Sequence, residues 1–163
     1  MDFAELLVRW VHFVAGITWI GILYFFNLVN VNFMKSLDGG TKGKVMPLLM
    51  PPSLWYFRWG AMLTVLAGLI LVMMNWPGNG SWRMSIGIGG ALGIIMWFNV
   101  WFIIWPKQKE IIRLTAEAAA KNESPPAHVP AMAKTALLAS RTNFWLSFPM
   151  LFFMGAASHF NWF

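Results

Sequence analysis

The sequence predicts an all-α integral membrane protein, a four-helix transmembrane bundle threaded up-down-up-down with a cytoplasmic helical extension between spans three and four. Three observations predict it. Of 163 residues, 58% are hydrophobic and only 11% charged, more apolar surface than a soluble domain of this size can hide. Four apolar segments, about 5–33, 54–75, 83–106 and 139–160, are each long enough to cross about 30 Å of hydrocarbon. Ten of the 12 lysines and arginines then fall on one side of that threading, the bias expected of a cytoplasmic face. The net charge of +6 therefore reads as membrane topology, with no nucleic acid as partner. With no cysteine there is no disulfide framework, no thiolate metal site and no covalent c-type haem attachment.

The elements follow in order. Asp2 and Glu5 precede the first apolar run and no basic n-region is present, so the run reads as an uncleaved span. The connection 34–53 carries Asp38-Gly39-Gly40 and Pro47, Pro51 and Pro52, which predicts a loop with a short interfacial piece. Asn75 to Trp82, NWPGNGSW, predicts a tight turn. Lys107 to Lys121, KQKEIIRLTAEAAAK, is a good helix former that continues the third span into water. SPPAHVP (Ser124 to Pro130) breaks it, and helix resumes from Ala131. The region 107–138 is thus a helical hairpin, and residues 1–163 form one domain without repeats.

Orientation follows from charge. Lys35, Lys42, Lys44, Arg58, Arg141 and the hairpin's basic residues face the cytoplasm, against Arg9 and Arg83 outside. Both termini are expected in the periplasm, in a multi-pass protein of the bacterial inner membrane. Trp10, Trp76, Trp82 and Trp162 make an outer aromatic belt, and Trp55, Trp59, Trp105 and Trp145 an inner one. Trp19, Trp97 and Trp101 lie deeper.

The candidate site starts from His12, an ionisable residue inside a stretch fit for lipid, where polar groups are costly and face the bundle interior. His12, Gly16 and Trp19 share one helix face. His159 lies near the outer end of the fourth span, in the same leaflet, and the two depths differ by only about 3 Å at the helical rise per residue. Two imidazoles at one level, with no cysteine or carboxylate nearby, suit bis-histidine ligation of a b-type haem iron by His12 and His159. Ser85 to Gly93, SIGIGGALG, has almost no side-chain volume at that depth, so Gly89 and Gly90, with Gly16, would clear space for a macrocycle. Arg9 and Arg83 are candidates to pair with propionates. Each feature also has a plainer explanation: small-xxx-small patterns such as Gly89 and Gly93 serve close helix packing, and His159 suits a headgroup contact. His128, in the Pro-rich turn, reads as a solvated loop residue.

A second polar group lies toward the cytoplasm: Asn27, Asn30, Arg58, Asn99, Arg141 and Asn143. The arginines are expected to snorkel. The asparagines are expected to act as interhelical hydrogen-bond glue, with a small polar pocket as the alternative. Pro149 should kink the fourth span. Most of the 12 methionines lie inside spans as packing residues, which speaks against a copper path.

Three pieces carry a family resemblance: RWVHFVAGITWIG (Arg9 to Gly21), FNVWFIIWPKQKEII (Phe98 to Ile112) and SRTNFWLSFPMLFFMGAASHF (Ser140 to Phe160), with FRWGA of the second span a looser match. They resemble the membrane domain of bacterial membrane-bound urate hydroxylases, the urate oxidase N-terminal region. This chain reads as a compact four-span version without the cytochrome c domain. The resemblance implies a haem-linked oxidoreductase that passes electrons to a c-type cytochrome.

The expected function is therefore membrane electron transfer through haem b, from an unidentified donor to a periplasmic c-type cytochrome. Two alternatives stay open. One is a protoporphyrinogen-oxidase-like enzyme of haem synthesis, similar in size and with a histidine in its first span. The other is a cofactor-free accessory subunit packed against other membrane subunits. Beyond the lipid bilayer, association with copies of the same chain also stays open.

Overall fold

A computed structural model of the chain describes residues 2–121 and 123–162. Four long helices account for most of them, and no strand occurs among the described residues. Helix α1 runs Phe3–Ser36, α2 Gly39–Asn75, α3 Gly80–Ala120 and α4 Val129–His159. The first three are long and apolar enough to cross a membrane. At 41 residues, α3 is about 60 Å long. That is twice the hydrocarbon thickness, so its charged end beyond Lys107 needs no lipid contact.

Local chemistry explains the ends. Asp2 caps α1 by accepting from the Glu5 N–H at 2.7 Å, and Asn79 caps α3 through the Trp82 N–H at 2.7 Å. At α2, Asp38 accepts from the Thr41 N–H at 3.0 Å and from its hydroxyl at 2.6 Å. The Thr41 hydroxyl and amide hold the Asp38 carboxyl below its ordinary range. This cap corrects the expected loop over 34–53: α1 extends to Ser36 and α2 starts at Gly39, with Pro47, Pro51 and Pro52 inside the helix. Each proline removes its own N–H from the ladder and crowds the carbonyl four residues before it, yet the helix that the Asp38 cap starts runs through all three. The turn after α2 places Gly78 at φ 57, a left-handed conformation that costs glycine little.

The helices pack as two hairpins. In the first, Arg9 meets Asn75, His12 meets Thr64 and Gly60 meets Trp19, so α1 and α2 run in opposite directions. Gly60 is where they come closest: a Cβ there would lie 3.3 Å from the Ala15 carbonyl oxygen and the Trp19 nitrogen. In the second, Ser81 and Ser85 meet Trp162, Gly89 meets Phe153 and Met154, and Asn99 meets Asn143. The hairpins join around a core of Trp19, Leu23, Phe57, Ala61, Met96, Val100, Ile104 and Met150.

Two π-helical stretches interrupt the long helices at this junction, Phe25–Asn30 in α1 and Asn99–Ile104 in α3. A π-turn widens the ladder and disturbs carbonyl pairing, and in both cases an asparagine amide supplies a donor. The Asn27 amide donates to the Leu23 carbonyl at 2.9 Å and to the Ser140 hydroxyl at 2.9 Å. The Asn143 amide donates to the Met96 carbonyl at 2.9 Å, and its own oxygen accepts from Asn99 at 2.8 Å. Nearby, the Ser147 hydroxyl contacts Tyr24 at 2.9 Å and donates to the Phe144 carbonyl at 2.6 Å. The inner asparagines are thus interhelical glue at Asn27, Asn99 and Asn143.

Asn143 is fully buried, so Asn143→Ala strands the Asn99 amide and leaves the Met96 carbonyl with only the Asn99 backbone N–H. It should cost about 1–3 kcal/mol, the penalty for unsatisfied buried polar groups. Denaturant titration in detergent checks this, with the exposed Thr142→Ala change as a control expected to leave stability unaltered.

Candidate functional site

The first-span histidine finds its partner on α2. Nδ1 of His12 lies 2.8 Å from the Thr64 carbonyl oxygen. A carbonyl only accepts, so Nδ1 carries the proton and donates, which leaves the Nε2 lone pair for another partner. Thr64 is itself anchored, its hydroxyl donating to the Gly60 carbonyl at 2.7 Å. Gly68, one turn further on, gives the imidazole room. A Cβ there would lie 3.0 Å from Cε1 of His12 and 3.2 Å from Nδ1, so the ring would have to shift by a few tenths of an ångström to admit it.

The other expected site residues divide. Gly16 lies beside Thr64, 3.7 Å from its methyl to an added Cβ, and Trp19 is 1% exposed at the core with its indole N–H unpartnered. Gly16 thus neighbours the same Thr64 that His12 contacts, while Trp19 packs against Gly60. Gly89 is taken up by close packing, since a Cβ would meet Met154 and Phe153 at 3.3 Å, whereas positions 90 and 93 have open space. Arg9 is engaged by Glu5 at 2.6 Å, with Asn75 at 3.5 Å. Arg83 donates to the Pro77 and Gly78 carbonyls at 3.3 Å. His159 is the exposed last residue of α4, and the structure does not bring it to His12 as a pair. Beyond it the chain turns back, Trp162 bonding Ser81 at 3.0 Å and Ser85 at 2.8 Å.

Among the described residues no group of three or more His, Cys, Asp or Glu side chains gathers to hold a metal ion. His12 by itself offers an imidazole nitrogen that could bind a further group. One ring nitrogen is fixed by a carbonyl and the other is free, the arrangement that orients metal-ligating histidines. Sequence reasoning missed Thr64 and Gly68. Neither residue type signals a ligand, and their relation to His12 depends on hairpin register.

The class these features define is a helical membrane protein with a carbonyl-anchored histidine in its first span. The chain belongs to the urate oxidase N-terminal family, whose profile matches residues 1–46 and 80–163. No curated protein and no solved structure shows a significant match to it. The unmatched stretch, 47–79, is most of α2, the helix that supplies Thr64 and Gly68.

Gly68→Ala should push the His12 ring off the Thr64 carbonyl. Nitrogen-15 spectra of histidine-labelled protein should show an Nδ1-protonated His12 in the wild type and lose that signature in the variant. An unchanged spectrum would mean that the contact does not set the tautomer.

Proposed function

We propose that this chain is a membrane electron-transfer protein or small oxidoreductase that holds one b-type haem near the periplasmic face and passes electrons to a c-type cytochrome. The observation that carries the reading is the 2.8 Å contact of His12 Nδ1 with the Thr64 carbonyl, because it leaves Nε2 as a fixed, oriented donor of its lone pair. A haem bound there would supply reversible one-electron transfer. The chain's own residues do the remaining work. Thr64 orients the imidazole and raises its basicity, Gly68 makes room for it, and the core at Trp19 excludes water beneath.

The opposite axial ligand in this reading is His159, with Gly90 on the open side of α3. Moving His159 to the His12 side would redirect the end of α4 and the tail that Trp162 holds against Ser81 and Ser85. Propionates would compete with Glu5 for Arg9 and with the 77–78 carbonyls for Arg83. The reading also takes both termini as periplasmic and the 107–138 hairpin as cytoplasmic. It is supported by the ten-to-two distribution of basic residues and by hairpins whose partners run in opposite directions.

The test is the reduced-minus-oxidised visible spectrum of the purified protein, prepared with ample haem supply, beside His12→Ala and His159→Ala. A low-spin b-type spectrum lost in both variants establishes the bis-histidine site. Loss in the His12 variant alone keeps the haem and indicates a single-histidine site with an open position. A wild type without haem sinks the proposal.

A further inference from the structure

Among the described residues, six buried polar side-chain atoms have no hydrogen-bond partner: the indole nitrogens of Trp19, Trp97 and Trp101, the amide oxygens of Asn27 and Asn30, and Nε of Arg58. Buried polar groups without partners are rare enough that each calls for a ligand or a water. Two of the six come together. The Arg58 guanidinium carbon lies 4.0 Å from the ring centre of Trp105, 5.1 Å from Trp101 and 5.4 Å from Trp59. Trp59 and Trp101 meet edge to face at 5.6 Å, closing the cage.

The cage handles only part of what the cation needs. Indole faces attract the positive charge above and below the guanidinium plane, but they accept nothing from its in-plane N–H groups. No carboxylate does so either, because every ion pair among the described residues belongs to Arg9 or Arg113. Arg58 is half-buried, with Nε the unpartnered buried atom. The site therefore presents a planar fork of donors, held by aromatic walls, beside a second unpartnered donor on Trp101. Such a fork fits the two oxygens of an oxyanion.

A snorkelling arginine would explain the charge but not the cage. Free extension to headgroups leaves the guanidinium solvated and mobile, whereas here three tryptophan rings from α2 and α3 lie within 5.4 Å of its carbon and its Nε is buried. We propose that Arg58 and the Trp101 N–H form a binding site for a phosphate oxyanion, supplied by the phosphodiester of an anionic phospholipid in the cytoplasmic leaflet. The lipid source follows from depth. Trp55, Trp59 and Trp105 lie where tryptophans anchor to headgroups, and Lys107 and Lys109 follow at once in the sequence. The site lies in the half of the bundle away from His12 and does not depend on haem. Arg58 also falls in the stretch that the family profile leaves unmatched.

The test uses the full chain in neutral detergent, with bound lipid counted by native mass spectrometry. Phosphatidylglycerol and the phosphate-free diacylglycerol of identical acyl chains are the probes, with inorganic phosphate as competitor. The wild type should retain phosphatidylglycerol over diacylglycerol. Arg58→Gln should lower phosphatidylglycerol occupancy about tenfold, the scale of one lost charge-assisted hydrogen bond, while leaving diacylglycerol unchanged. If Arg58→Gln does not fold, Arg58→Lys (charge without the fork) and Trp101→Phe (ring without the donor) should each weaken phosphatidylglycerol selectively. Wild-type occupancy in the variants, or equal retention of the two lipids, overturns the proposal. Displacement of the lipid by millimolar inorganic phosphate overturns the lipid as source and points to a free anion.

Discussion

A backbone or side-chain polar group buried among these helices has to find its partner within the protein, and the rest of the structure depends on that constraint. Where α1 and α3 widen into π-turns, asparagine amides supply the missing donors, Asn27 within its own helix and Asn143 from α4. These contacts are geometric as well as energetic. Asn143 reaches Met96 and Asn99 only if α3 and α4 keep one register, and Asn27 reaches Ser140 only if α1 and α4 meet at one level. The Asn27–Ser140 contact therefore helps set how the two hairpins join, and Asn143 sets the register within the second, both of which apolar packing alone would leave free to slide.

With that register in place, the site's chemistry follows from backbone rather than from a gathering of side chains. His12 is bound by the carbonyl of Thr64, and the absence of side chains at Gly60 and Gly68 brings α2 near enough for that bond. An imidazole held in one tautomer with its second nitrogen unassigned is prepared for a further partner. Family membership covers the helices carrying His12 and His159, whereas the surface that orients His12 comes from the unmatched part of α2.

The two halves of the bundle differ in the partners they leave open. Toward the outer end, arginines are already engaged, Arg9 by a carboxylate and Arg83 by carbonyls. Toward the inner end, Arg58 is walled by tryptophans and lacks any acidic neighbour. A cation so placed can be stabilised by π-faces only out of its plane, and its in-plane hydrogens remain to be used.

Composition and periodicity alone determined that the chain is helical, that its long apolar segments suit a membrane, and that His12, Gly16 and Trp19 share one face. These are properties of hydropathy and of a 3.6-residue repeat, both written locally. The proline-rich stretch 34–53 misled because breaker residues are read one at a time, while the Asp38 cap acts on the whole first turn of α2. The resemblance of three segments indicated the family for the same local reason. Only the tertiary structure decided who meets whom. It set Thr64 rather than His159 beside His12, packed Gly89 against α4, bound Trp162 to two serines and surrounded Arg58 with indoles. Such pairings depend on relative register and rotation of helices far apart in sequence, and a helix's own repeat carries no information about either.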